Sequence, residues 1–353
     1  MEKKIVIYSL VFTLIFFVIW TPVVVTITHH LNIKELENRT HYDSIRITSN
    51  SDFFDVYRFP GKGTANDPYI IENKIISSSD STHGIYITRT SRHFIIRNCQ
   101  IYSPSYSIYI DNIYPGIAQI TNNYCMNQIV ISYSDYITIK DNIVVNYDIP
   151  YGEQSTGILF ERVNTGNIIN NTITDFENGL QIENFSEHIT VEKNKLINNY
   201  DAIICTDSVD VLFFDNFIND NQIGFIVDFN CYEIIILNNY ICNNSIVGLY
   251  LRGEVIVESN IIIHNDIGVS IYRNMLHSII ITKNQIEQNW NYGIKCRLGE
   301  YVVISNNNFI DNNLNGYVDY NLSQAYSEND DIGTCYWYDS ILHKGNYWSD
   351  LIW

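Results

Sequence analysis

The chain is poor in basic residues, cysteine and methionine. Lys and Arg number 21 against 39 Asp and Glu, for a formal charge of −18. That balance excludes a nucleic-acid partner, which needs clustered Lys and Arg, and disfavours adsorption on an anionic membrane surface. A polyanionic glycan would also be repelled unless a divalent cation bridged it. Seven cysteines in 353 residues do not make a disulfide framework in a chain this long. There is no C-x-x-C pair and no zinc-type spacing. Only three methionines are present, Met1 among them, whereas a copper site needs clustered His, Met or Cys. No metal site is read from the sequence. Between residues 83 and 319 there is also no apolar spacing that sustains a helix of about ten residues.

What the sequence does contain is a repeat. One column holds a small or polar residue at Gly84, Ser107, Gln128, Gly157, Gly179, Ala202, Gly224, Gly248, Gly268, Gly293 and Gly316. A second holds Asn98, Asn123, Asn142, Asn171, Asn194, Asn216, Asn239, Asn260, Asn284 and Asn307. Both have a mean period of about 23 residues, inside the range that marks solenoids. The expectation is about eleven coils between His83 and Asp319.

Each unit carries two strand patterns. Gly224-Phe225-Ile226-Val227 and Gly248-Leu249-Tyr250-Leu251 place apolar residues first and third after the glycine, on one face. Val211/Phe213/Asn216/Ile218 and Ile234/Ile236/Asn239/Ile241 form the second pattern. β-Branched residues dominate, as strands prefer. Stacked in register about 4.8 Å apart, eleven coils would make a rod roughly 50 Å long. Asn194, Asn216, Asn239, Asn260 and Asn284 are then expected to form an inward ladder of side-chain amides at a bend. A leucine-rich repeat is the rival fold, since Ile279-x-Ile281-x-x-Asn284-x-Ile286 satisfies its core pattern. Its columns should be Leu, however, and the other half of each unit should be helical. The sequence therefore predicts an all-β, right-handed parallel β-helix. Cys205 and Cys296 replace aliphatic residues in an inward column; four coils apart, they read as core residues that do not pair with each other.

The ends differ from the repeat. After Lys3 and Lys4 the chain is uncharged from Ile5 to Ile27, about 35 Å as a helix and enough to span a bilayer. The two lysines favour a cytoplasmic N-terminus. Residues 1–28 are thus expected to be a single-pass membrane anchor, with a cleaved signal peptide as the alternative. Residues 29–82 read as a stalk and N-terminal cap, 83–319 as the solenoid, and 320–353 as an aromatic C-terminal cap. Caps are required because a parallel stack leaves an open core at each end.

The repeats resemble the NosD-like branch of right-handed parallel β-helix proteins, which also covers carbohydrate-binding and sugar-hydrolysis domains. Gly61-Lys62-Gly63-Thr64-Ala65-Asn66-Asp67-Pro68-Tyr69-Ile70-Ile71-Glu72 looks like the family's opening motif, and Gly345-Asn346-Tyr347-Trp348-Ser349-Asp350 like its closing motif. The resemblance covers residues 45 to 353. It implies a periplasmic protein that delivers copper to nitrous oxide reductase. The residues offer that role little: His188, His264 and His277 occupy different places in their coils, and Met275-Leu276-His277 is the nearest approach to a cluster.

The outward residues of the Gly-following strand are more informative. An apolar and aromatic row, including Tyr109, Val130, Leu159, Ile204, Ile226 and Tyr250, should run beside a polar row containing Ser132, Glu161, Glu183, Asp228 and Arg252. Aromatic faces stack on sugar rings and carboxylates bond hydroxyls. Tyr109, Leu159, Ile204, Ile226 and Tyr250 are the candidate ligand-binding residues. Glu161 and Glu183, in adjacent coils, together with Asp228 and Arg252, are the candidate catalytic set. The carboxylate pair suits either general acid–base chemistry or a bridging Ca²⁺. The inserted loop Asn146–Thr156 enters this region. The three-Asp pattern of polygalacturonases is not evident. Three readings stand: an extracytoplasmic, membrane-tethered module binding a glycan or a cell-surface protein; a polysaccharide lyase, epimerase or hydrolase; and a copper-handling protein.

Overall fold

Short runs of Ile and Val spaced two apart give every strand one apolar side, and the chain buries those sides by winding them around a common interior. The computed structural model describes residues 40–79, 82–114, 117–147, 155–272, 278–297, 301–314, 324–328, 335–338 and 344–349. The chain divides into two compact units, Met1–Thr40 and His41–Trp353. The second is an all-β parallel solenoid of about ten turns. The expected anchor Ile5–Ile27 lies outside the described residues. Among the described residues no helix is long and apolar enough to cross a membrane.

Each coil contributes one strand to each of three parallel sheets. The first sheet contains Asn178–Glu183, Asp201–Cys205, Ile223–Val227 and Val247–Leu251. The second contains Glu187–Glu192, Val209–Phe214, Tyr232–Leu237 and Val255–Glu258. The third contains the three-residue strands Lys195–Ile197, Phe217–Asn219, Tyr240–Cys242 and Ile261–Ile263. Register is continuous from coil to coil: Ile203, Phe225, Leu249, Val269 and Ile294 align in the first sheet, all fully buried. Burying one such side chain contributes about 1.5–3 kcal/mol. The second half of each unit is thus two strands rather than a helix, which disposes of the leucine-rich alternative.

Two corners of the coil share one construction. Before the third sheet a residue in the left-handed region turns the chain, as at Lys193 (φ 56°), Asp215 (φ 53°) and Asn238 (φ 56°), and a buried Asn follows. Asn194 Nδ2 donates to Ile168 O at 2.7 Å and to Asn216 Oδ1 at 3.1 Å, and Asn216 Oδ1 also accepts from Asn194 N at 2.9 Å. Asn216, Asn239, Asn260 and Asn284 repeat the pattern to Asn307. A second ladder, absent from the sequence reading, stands at the corner before the first sheet. It links Asn199, Asn221, Asn244, Asn265, Asn289 and Asn312. Its signal was the spacing N-x₄-N, present from Asn194/Asn199 to Asn307/Asn312. Asn98 does not belong to the first ladder. It is the left-handed residue (φ 54°), and Cys99 N takes the ladder position by donating to Asn123 Oδ1 at 3.0 Å.

The second ladder explains the glycine column. A Cβ on Gly248 would lie 2.6 Å from Gly268 O and 3.1 Å from Asn265 Nδ2, so the next coil and its amide occupy the space a side chain would need.

The sheets extend beyond residues 83–319. At the start, Ile45–Ile47 pairs with His83–Thr88, and Tyr69–Glu72 with Phe94–Arg97. Phe53, on the single-turn helix Asp52–Asp55, stacks on Tyr69 at 4.7 Å and closes this end of the core. Gly61 (φ 107°) can only be glycine, since a Cβ there would sit 2.0 Å from Pro68 O. At the far end the period breaks. The strand in register with Tyr292–Arg297 is Ala325–Glu328, not a segment beginning at Gly316, which lies outside the described residues. Cys335–Tyr336 and Tyr347–Trp348 supply the other two sheets of that last coil. Cys335 bonds to Cys296, so Cys296 is buried as expected but is a disulfide partner, not a free core thiol. The closing motif ends both ladders: Asn346 Oδ1 accepts from Asn307 N at 3.1 Å, while Ser349 Oγ accepts from Gln324, which caps the second. Trp348, in that last coil, stacks on Phe309 of the coil before at 4.3 Å.

Candidate functional site

Strand alternation turns three columns of the first sheet outward. In the N-terminal coils they meet as a ring cluster. Tyr86 and Tyr109 are in register and stack at 5.7 Å, and His83 stacks on Tyr106 at 5.1 Å. Tyr109 is edge-on to His83 and Tyr106 at 5.3 Å, and the Arg46 guanidinium covers Tyr86 at 4.6 Å. All four rings are half-buried, so each keeps surface toward solvent. Burial first, and then the Arg46 charge, hold His83 below its ordinary pKa, which leaves it a neutral ring at neutral pH. Burial raises the Tyr109 phenol. The sequence pointed to Tyr109; His83 and Tyr106 were missed because they precede the small-residue column, where only the residues after it were followed.

The row continues through Leu159, Ile204, Ile226 and Tyr250, each half-buried. Val130 does not extend it toward solvent. It is 3% exposed between Tyr109 and Leu159, and Ser132 beside it is 1% exposed. Most of the inserted loop expected beside this strand lies outside the described residues.

The polar row separates into two groups. Glu161 and Glu183 are in register on adjacent coils. Ser132 Oγ donates to Glu161 Oε2 at 2.9 Å, and Gln181 Nε2 donates to Glu183 Oε2. Asn184 Nδ2 bridges the carboxylates, donating to Glu161 Oε1 at 3.3 Å and to Glu183 Oε1 at 3.2 Å. Burial, and then the Glu161 and Asp207 charges, push the Glu183 pKa up. An N–H donor therefore stands between the two carboxylates, where a bridging Ca²⁺ would require oxygen ligands. Among the described residues no group of three or more His, Cys, Asp or Glu is placed to hold a metal.

Asp228 and Arg252 form the other group. Thr206, which follows Cys205, intervenes between Glu183 and Asp228, so these carboxylates are two coils, about 10 Å, apart. Arg252 Nη1 pairs with Asp228 Oδ1 at 3.1 Å, and its guanidinium lies 3.6 Å over the Phe229 ring. Its charge is engaged within the protein. The four candidate catalytic residues thus form two pairs on one face rather than one constellation.

Two other surfaces escaped the sequence reading. On the second sheet, Leu212, Ile235, Ile256, Ile280, Val303 and Tyr336 align outward over six successive coils. The signal was the middle residue of Ile234-Ile235-Ile236 and its equivalents. A shallow polar concavity of about 290 Å³ lies at the second-ladder corner, lined by Asn198, Tyr200, Asp220 and Asn243 among others. It borders structural amides and stands apart from the ring cluster.

The sequence model of a family described as periplasmic copper-binding protein (NosD) matches residues 44–250 and 153–352. The chain belongs to the NosD family. No curated protein matches it. Among solved structures it is similar to the A-module of mannuronan C-5 epimerase AlgE4 of Azotobacter vinelandii. Identity there is 15%, over 80% of this chain and 84% of that one, with a TM-score of 0.42. It is also similar to PfbA, a surface adhesin of Streptococcus pneumoniae, at 12% identity over 64% and 77% of the chains and a TM-score of 0.41. The AlgE6 A-module of Azotobacter vinelandii matches at 13% identity over 80% and 87%, with a TM-score of 0.41.

The copper of the family description meets no suitable donor set among the described residues. His188 faces Asp210 at 3.8 Å, and His264 Nε2 hydrogen-bonds Gln288 at 2.7 Å. His277 and Met275 lie outside the described residues.

Proposed function

We propose that this NosD-family protein is an extracytoplasmic, right-handed solenoid, tethered through Ile5–Ile27, that binds an extended glycan along the outward face of the first sheet. The carrying observation is the cluster of His83, Tyr86, Tyr106 and Tyr109, four half-buried rings converging on two coils. Rings held by one another offer apolar area at little entropic cost, and sugar rings pack on such faces. The half-buried row Leu159, Ile204, Ile226 and Tyr250 continues the track, and Glu161 and Glu183 beside it supply acceptors for hydroxyl groups. A glycan free of its own negative charge suits the −18 chain best.

A second reading is polysaccharide cleavage or epimerisation at Glu161 and Glu183. It is favoured by one observation: burial pushes the Glu183 pKa up beside a second carboxylate in register with it, Glu161. A carboxyl that holds its proton more readily than usual is what a general acid requires.

Full-length protein on a glycan array, with Tyr109→Ala and Glu183→Gln alongside, tests both readings. Retention of a neutral glycan that falls about two- to twelvefold in Tyr109→Ala supports binding, since a stacked ring is worth about 0.5–1.5 kcal/mol. New reducing ends, unsaturated products or altered sugar configuration, lost in Glu183→Gln, would establish the enzyme. No retention of any glycan by the wild type would remove both.

A further inference from the structure

Five cysteines remain outside the Cys296–Cys335 bond, all buried, and two of them touch. Cys231 Sγ lies 3.8 Å from Cys205 Sγ, and both residues are fully buried. Cys205 ends a first-sheet strand. Cys231 lies one coil later, just before the second-sheet strand Tyr232–Leu237. The existing disulfide likewise joins the end of a first-sheet strand to the following coil, although Cys335 stands in the column of Ile234, three residues beyond Cys231. Cys296 occupies the inward column of Cys205, and Cys335 begins the second-sheet strand of the following coil. Ile203 and Cys205 pair with Phe225 and Val227, so the coils bearing Cys205 and Cys231 are immediate neighbours.

We propose that Cys205 and Cys231 are a second inter-coil disulfide site, closed by exchange with an external disulfide. Geometry favours closure: the two sulfurs are in van der Waals contact, and forming the bond shortens their separation to about 2.05 Å. The order of events follows from the surroundings. The hydrogen bond with Cys231, and then burial, drive the Cys205 thiol up. Cys231 underlies the exposed turn residues Phe229 and Asn230, which makes it the thiol reached by local opening. Its thiolate attacks the external disulfide and displaces one thiolate, giving a mixed disulfide. Cys205 then loses its proton and attacks the Cys231 sulfur, displacing the second thiolate. The two cysteines together give up two protons and two electrons, and the external disulfide becomes two thiols.

The bond has a consequence for the first-sheet face. Asp228 and Phe229 occupy the turn that Cys231 ends, and Arg252 packs on both. Gly253 leaves no slack, because a Cβ there would lie 2.7 Å from Asp228 O and 2.9 Å from Cys231 Cβ. Closing Cys205–Cys231 therefore stiffens the corner that carries the Asp228–Arg252 pair.

The test takes full-length protein equilibrated with reduced or oxidised glutathione, acid-quenched, digested without reductant and mapped by mass spectrometry. The expected result in the oxidised sample is a linked peptide pair containing Cys205 and Cys231, lighter by two hydrogens. Backbone amides of residues 228–231 should then exchange more slowly than in the reduced sample. Cys231→Ser should abolish this link and leave Cys296–Cys335 intact. Recovery of Cys205 and Cys231 as free thiols after oxidation, or of either as a stable glutathione adduct, overturns the proposal. The wild-type map decides even if the variant does not fold. The reading of this chain as extracytoplasmic bears only on where the oxidant is met, so failure of the link leaves glycan binding untouched and the converse also holds.

Discussion

Replacing Asn216 tests what holds the coils in register. Its side chain is 1% exposed and carries four contacts. Nδ2 donates to Val191 O and to Asn239 Oδ1, each at 2.9 Å; Oδ1 accepts from Asn194 N at 2.9 Å and from Asn194 Nδ2 at 3.1 Å. In Asn216→Ala, Asn194 Nδ2 keeps Ile168 O and Asn239 Oδ1 keeps Asn216 N, so those groups remain satisfied. Asn194 N–H loses its acceptor in a dry interior, at a cost of about 1–3 kcal/mol, and Val191 O loses a donor, about 1 kcal/mol more. The expected destabilisation is about 2–4 kcal/mol. Asn216→Asp retains the shape but sets a carboxylate oxygen against two acceptors, so it should be worse than alanine. Exposed Asn164→Ala serves as the control and should shift stability by under about 0.5 kcal/mol. Urea denaturation with an unchanged m-value is the measurement. Wild-type midpoints for Asn216→Ala, or an Asp variant as stable as the Ala variant, would refute the ladder as the element that fixes register.

Two further predictions concern the titrating and covalent parts of the frame. Burial, and then Glu177, raise Asp201 from its ordinary 3.8 to about 6, so the fold favours the protonated acid. The resulting stability is fully present below pH 3.8 and is lost as pH rises through about 6; at most it is worth about 3 kcal/mol, and partial exposure reduces it to about 1–2. Asp201→Asn should therefore stabilise at pH 7 and flatten the melting profile between pH 4 and 6, and an unaltered profile would count against it. Cys296→Ser opens a loop of 39 residues, which the chain-entropy argument values at about 4 kcal/mol; thermal unfolding should shift down accordingly, and an unmoved transition would show that this bond contributes nothing to the fold.

The fold was legible because its constraints recur. An inward Ile at every coil and an Asn at one corner are demanded again and again, so chance is averaged out. What stayed hidden is what occurs once. Cys335 was not recognised as the partner of Cys296 because the chain leaves its period after Asn312 and resumes it only at Ala325. The second Asn ladder was periodic and was missed by following two columns alone. The outward face was harder. A period of two tells which side a residue points to, not what lies over it, so Val130 and Ser132 read as exposed although both are buried. Arg252 likewise entered the candidate catalytic set, since nothing in one coil's sequence shows that Asp228 and Phe229 engage it from the previous coil.

The division of labour within a coil determines how cleanly the binding face can be tested. Register resides in the two corners, where Asn194–Asn307 and Asn199–Asn312 satisfy buried backbone groups, and in the inward aliphatic columns. The outward side chains of the first sheet touch neither ladder. Tyr109 meets Tyr86, Tyr106 and His83, all on the same outer face, so Tyr109→Ala removes ring contacts while every corner amide keeps its partners. Glu183 is more entangled, because Asn184 bonds both carboxylates and Ser186 Oγ donates to Glu183 O at 2.8 Å. Glu183→Gln preserves the backbone acceptor and the side-chain volume, which makes it the right replacement there. A loss of glycan retention in Tyr109→Ala with an unchanged unfolding midpoint therefore reports on the face itself. The same loss accompanied by a lowered midpoint would mean that the rings serve the fold instead.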